Sequence, residues 1–79
     1  MRLDKWLKVS RLVKRRTVAQ EACDGGRVAV NGRTAKPSAE VKAGDTVEIS
    51  FGSKTLRCEV LSVQETVKKD DAAAMYREI

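Results

Sequence analysis

The sequence predicts a small α+β domain, with two N-terminal helices packed on a small antiparallel β-sheet and a short C-terminal helix. Three observations carry this expectation. Apolar residues recur with a helical period up to residue 23, they alternate with polar ones from residue 46 to 60, and Asn31-Gly32 sits between two short apolar runs. The chain has 79 residues, which suits one domain, 1–79, with a modest core. A core motif is expected over about 2–50, followed by a C-terminal hairpin and the short helix over 51–79.

At about 100° per residue, Leu3, Trp6, Leu7, Val9 and Val13 fall on one arc, and Asp4, Lys5, Lys8 and Arg11 on the other. This is the pattern of a helix with one face on a core and a cationic outer face. Leu12 falls on the wrong side, so the helix is expected over roughly 3–11, ending or bending near Arg11. Trp6 lies on the apolar arc and reads as core rather than as a base-stacking side chain. Asp4 reads as structural, capping the helix or orienting an arginine through an ion pair.

A second helix is expected to begin near residues 15–17. Thr17-x-x-Gln20 has the spacing of a capping box, and Val18, Ala19, Ala22 and Cys23 form an apolar stripe. Arg16 and Gln20, four residues apart, share the opposite, exposed side. Asp24-Gly25-Gly26 ends the helix, glycine being the usual residue just past a helix C-terminus.

The remainder reads as β. Val28-Ala29-Val30 runs into Asn31-Gly32, the signature of a type I′ hairpin, with Arg33-Thr34-Ala35 returning. Pro37-Ser38 makes a bend and Gly44-Asp45 a turn. Val47, Ile49 and Phe51 alternate with Glu48 and Ser50, and after Gly52-Ser53, Leu56, Cys58 and Val60 alternate with Arg57 and Glu59. That is a half-buried antiparallel sheet with one polar face. Asp70-Asp71 before Ala72-Ala73-Ala74-Met75-Tyr76 gives the short C-terminal helix.

The charge is unevenly placed. The net charge is +5, yet the first 16 residues hold seven basic side chains against one acid. The other 63 residues hold nine basic and ten acidic. A field concentrated in this way is the footprint of a polyanion-binding surface rather than of a solvated face. The residues that carry it are Arg2, Lys5, Lys8, Arg11, Lys14, Arg15 and Arg16, with Thr17 and Gln20 beside them. Arg27 flanks the hairpin, where RNA contact and plain solvation are equally good readings. Lysine and arginine neutralise phosphates by releasing condensed counterions, and the planar guanidinium adds bidentate contacts or stacking.

Other function classes are disfavoured. There is no histidine, no phosphate-cradling glycine loop and no nucleophile paired with a base, so an enzyme is the weakest reading. Cys23 and Cys58 are far apart and lack the close pairs a zinc site needs, so no metal or cofactor is expected. They read as two small buried hydrophobes. No apolar run approaches the length of a membrane span, and the start lacks a secretory signal, so the expected place is the cytoplasm without membrane contact.

The ordered set Arg2-Leu3-Asp4, Leu7, Arg16 with Ala19, residues 26–32, Pro37-Ser38, and Val41 with Gly44-Asp45 resembles the RNA-binding domain first described in ribosomal protein S-four. That domain also occurs in tyrosyl-tRNA synthetases, pseudouridine synthases and small ribosome-associated proteins. The start Arg-Leu-Asp-Lys-Trp-Leu-Lys and the later Lys-Arg-Arg-Thr are most similar to its short heat-shock and ribosome-associated quality-control branch. Where the family has a small residue before the matching arginine this chain has Arg15. Val13-Lys14 replaces small residues of the first connection, and these changes add positive charge.

The resemblance implies a strongly bent sheet with the αL-like motif. It also implies binding to rRNA of the large ribosomal subunit and to peptidyl-tRNA in quality control of stalled nascent chains. There it implies support of C-terminal tailing, alongside a tailing factor on the same subunit, by a protein that is monomeric off the ribosome. A targeting module related to RNA-modifying enzymes, and a protein–protein or DNA-binding adapter, are the alternative readings.

Overall fold

The computed structural model describes residues 1–64, 72 and 74–79. Two helices, α1 (Leu3–Val9) and α2 (Arg16–Asp24), precede five strands: β1 (Val28–Val30), β2 (Arg33–Thr34), β3 (Thr46–Phe51), β4 (Lys54–Val60) and β5 (Tyr76–Glu78). The strands form one antiparallel sheet in the order β2-β1-β3-β4-β5. The predicted α+β architecture is therefore observed.

Helix α1 has only seven residues, too few to stand alone in water. Its first amides find acceptors elsewhere: Leu3 donates to the Ala39 carbonyl at 2.7 Å and Asp4 to the Pro37 carbonyl at 3.1 Å. The Pro37-Ser38 bend thus serves as its N-terminal cap. The helix is two residues shorter than expected because Arg11 takes a left-handed conformation, φ 64°. This is the break that Leu12 foretold.

Helix α2 begins at Arg16, with Arg15 as N-cap and no side-chain cap. The Thr17–Gln20 capping box is therefore not formed, since Thr17 is already the second helical residue and the Gln20 side chain is engaged elsewhere. At the other end Gly26 (φ 75°) donates to the Cys23 carbonyl and Arg27 to the Ala22 carbonyl. This is a Schellman motif, and the glycine that stops the helix is Gly26 rather than Gly25.

Asn31 and Gly32 both have positive φ, 52° and 82°, as a type I′ turn requires. Asn31 also ties that turn to the next one. Its Nδ2 donates to Asp45 Oδ1 at 3.2 Å, and its Oδ1 accepts from the Thr46 amide at 2.9 Å. The return strand stops at Thr34.

The core lies between the helices and one sheet face. Leu3, Trp6, Leu7, Val13, Ala19 and Cys23 meet Val28, Val41, Val47, Ile49, Cys58, Val60 and Met75. Trp6 is fully buried and donates its Nε1 hydrogen to the Ser62 carbonyl at 3.0 Å. Both cysteines are buried and free. The alternation expected on β3 and β4 holds for Val47, Ile49, Cys58 and Val60 but not for Phe51, which is exposed. Val18 likewise leaves the expected buried stripe of α2.

The expected C-terminal helix is only partly within view. Its residues 70, 71 and 73 lie outside the described residues, and Ala72, Ala74 and Met75 have 3₁₀ conformation. Tyr76 belongs to β5, not to a helix. That strand pairs with β4 through Val60↔Tyr76 and Cys58↔Glu78, whereas a helix of about two turns is marginal in water.

Candidate nucleic-acid interface

Two of the cationic N-terminal residues, Arg2 and Arg16, are brought together by one buried carboxylate. Asp4 has no solvent exposure. Its Oδ2 accepts from Arg2 Nη2 at 3.2 Å and Gln20 Nε2 at 3.0 Å, and forms an ion pair with Arg16 Nε at 3.3 Å. Its Oδ1 accepts from the Lys5 amide at 2.8 Å, Arg2 Nε at 3.2 Å and Arg16 Nη2 at 3.4 Å. Burial raises its pKa, but bonds from Gln20, Arg16, Arg2 and the Lys5 amide outweigh that and hold it below the ordinary 3.8.

A carboxylate so surrounded acts as a clamp. Arg2 and Arg16 are fixed at one end while their side chains remain 52% and 44% exposed. Their outward faces keep donors for a second anion, and arginine's five hydrogens make such sharing possible. Sequence spacing suggested that Arg16 and Gln20 share an exposed side of α2. They do share a side, but it is turned onto Asp4 of α1.

Two concavities lie around this clamp. The first is a shallow depression of about 500 Å³ lined by Met1, Arg2, Lys5, Arg16, Ser38 and Glu40. Three cations and a hydroxyl converge there at the junction of α1, α2 and the Pro37-Ser38 bend. The second is an open groove of about 650 Å³ between α2 and the β3–β4 hairpin, with Lys14, Arg15 and Arg27 on its rim.

The predicted site residues thus divide. Arg2, Lys5 and Arg16 come together, with Gln20 behind them on Asp4; Lys14, Arg15 and Arg27 gather at the groove. Lys8 and Arg11 are exposed near the end of α1, and Thr17 is exposed on the first turn of α2; none of the three lines either concavity. Lys8 lies in the last turn of α1, where a cation complements the helix dipole whether or not RNA is present.

Sequence reasoning missed Ser38 as a lining residue, reading it only as a bend. It also missed Val18 and Phe51, which it assigned to the core although both line the groove. Among the described residues no group of acids and cysteines is placed to hold a metal ion. No helix there is long and apolar enough to cross a membrane.

Comparison with known proteins places this geometry in context. Residues 1–47 match the S4 domain model. The RQC P-site tRNA stabilizing factor of Streptococcus pneumoniae is 58% identical over 76 residues, covering 96% of this chain and 86% of that protein. The protein of the same name from Halalkalibacterium halodurans is 54% identical over the same span. Among solved structures, the trimeric structure of Vibrio cholerae heat shock protein 15 superposes with a TM-score of 0.91 at 32% identity. It covers all of this chain and 81% of that one.

Proposed function

Because the chain belongs to the S4 domain family, we propose that it is a non-enzymatic RNA-binding factor of ribosome-associated quality control. The observation that carries this reading is the clamp. Asp4 holds Arg2 and Arg16 beside Lys5 at the mouth of one depression, a rigid arrangement of cations suited to phosphate oxygens. The relatives' name, RQC P-site tRNA stabilizing factor, supplies the class of partner.

In finer terms, the protein binds the large ribosomal subunit, contacting both rRNA and peptidyl-tRNA, and so supports C-terminal tailing of the stalled chain beside a tailing factor. RNA helices hide their deep groove, so recognition runs through backbone shape, phosphates and 2′-hydroxyls. The sites are Arg2, Lys5 and Arg16 at the depression and Lys14, Arg15 and Arg27 at the groove. Lys8, Arg11, Thr17 and Gln20 extend or support them. The protein works as a monomer off the ribosome.

The test is a salt titration of binding to tRNA, an rRNA stem and duplex DNA, with Arg16→Gln alongside. Glutamine keeps a donor for Asp4, whereas charge reversal would set a carboxylate against a buried carboxylate. Arg16→Gln should lower the slope of log K against log salt by about 0.7–0.9. It should also reduce co-sedimentation with large subunits. Equal affinity of the wild-type protein for all three nucleic acids would sink specific RNA recognition.

A further inference from the structure

The groove between α2 and the β3–β4 hairpin is not explained by phosphate contacts. Its rim carries Lys14, Arg15 and Arg27, but its surface is apolar, with Leu12, Val18 and Phe51 facing the opening. Val18 is 47% exposed and Phe51 49%. These are the two side chains that periodicity assigns to the core and the fold leaves outside, on different elements, facing one groove. Local departures from pattern of this kind collect where a surface has work to do.

We propose that this groove takes one unpaired RNA base, stacked on the Phe51 ring beside Val18, with the flanking phosphates on Lys14, Arg15 and Arg27. The inference rests on the RNA-binding reading and extends it to a second, chemically distinct contact. A fully paired helix presents no free base face, so the ligand is a bulged, looped or end nucleotide. Glu21, also at the groove, supplies an acceptor for an exocyclic amino group.

Charge and size favour a nucleotide over a protein segment. Three cations against one acid suit an anion-flanked ligand. Two half-exposed apolar side chains fall far short of the roughly 800 Å² per partner that a stable protein interface buries. A single base needs little more than one aromatic face. Phe51 is delivered by the β3–β4 hairpin, beyond residues 1–47 that match the family model.

The experiment compares an RNA stem bearing one bulged 2-aminopurine with the same stem lacking the bulge. Wild-type protein should prefer the bulged stem and quench the 2-aminopurine. Phe51→Ala should weaken bulge binding by roughly 5- to 150-fold and leave affinity for the paired stem unchanged. Phe51→Trp should keep the preference, and Phe51→Leu, apolar but without a ring, should lose it. Phe51 is half exposed at a hairpin end, and far-ultraviolet circular dichroism checks that each variant is folded.

Stem binding with no bulge preference, or with no quenching, overturns the groove proposal and leaves the RNA-binding reading standing. So does a Phe51→Leu variant as good as wild type, which would point to a simple apolar occupant. Self-association abolished by Phe51→Ala would put a second copy in the groove and also overturns it. Failure of the wild type to bind either stem defeats the RNA-binding reading, and this proposal with it.

Discussion

Asparagine at position 4 keeps the side-chain shape and removes the charge. Asp4 Oδ1 accepts from Arg2, Arg16 and the Lys5 amide, and Oδ2 accepts from Arg2 and Gln20 with Arg16 Nε in ion-pair range. Whichever oxygen becomes the amide nitrogen, two or three donors lose their acceptor and face hydrogens instead. A hydrogen bond to a charged group is worth about 1.5–3 kcal/mol, but half-exposed arginines rehydrate and recover part of that. Asp4→Asn should therefore destabilise by about 2–4 kcal/mol, a large share of the roughly 4–12 kcal/mol that a chain of this length commands.

Urea unfolding followed by Trp6 fluorescence measures this directly, because Trp6 is the single tryptophan and is buried. RNA binding gives the sharper contrast. Removing a negative charge from a cationic surface should by Coulomb's law alone tighten binding to RNA. If Asp4 instead holds Arg2 and Arg16 in place, the loosened side chains must be ordered on binding at about 0.5–1.5 kcal/mol each. Affinity should then fall by roughly 5- to 150-fold under conditions where the variant is folded. The clamp account is refuted if Asp4→Asn binds RNA more tightly than wild type, or if its stability changes by less than about 0.5 kcal/mol.

Further expectations follow from the same geometry. The Asp4 pKa is lower in the folded than in the unfolded state, so its stabilisation is full above the ordinary value of 3.8 and is lost as pH falls through the folded value. Wild type should lose stability in that acid range, and Asp4→Asn should show a flatter profile by urea unfolding at several pH values. Arg11 sits at φ 64°, so Arg11→Gly should stabilise by about 0.5–1 kcal/mol, and a lowered urea midpoint would contradict the left-handed helix stop. Asn31→Ala removes both links between the two turns and a residue tolerant of φ 52°. It should destabilise by about 2 kcal/mol, lowering Tm by about 8–16 °C in a thermal melt. Burial pushes the Cys23 and Cys58 thiols up to about 11, so both should resist thiol reagents at pH 8 in the native protein and react in urea. Fast native labelling would mean they are not packed as described.

What the sequence made legible was what neighbours in the chain decide. The apolar arc of α1, the stop near Arg11, the Asn31-Gly32 turn and the strand alternation all depend on residues a few positions apart. The role of Asp4 was glimpsed only as a choice between cap and ion pair. Its partners Arg16 and Gln20 are 12 and 16 residues away and meet it only because α2 packs across α1. Thr17–Gln20 fitted a capping pattern but lost it because the helix begins two residues earlier than that pattern requires and Asp4 claims the Gln20 amide. Alternation put Phe51 inside because periodicity tells which face a residue takes, not whether the sheet's cover extends that far. At the C-terminus, alanine-rich propensity met an unpaired edge of β4, and for Tyr76 tertiary pairing won.

The way α1 is capped bears on the order in which the molecule assembles. Its first two amides need the carbonyls of Ala39 and Pro37, and its carboxylate needs Arg16 and Gln20. Seven residues do not hold a helix unaided. Helix α1 is thus among the last elements to acquire its structure, since it waits on the chain out to about residue 41. Closure of that segment is also what brings Arg2 and Lys5 of the first helix beside Arg16 of the second.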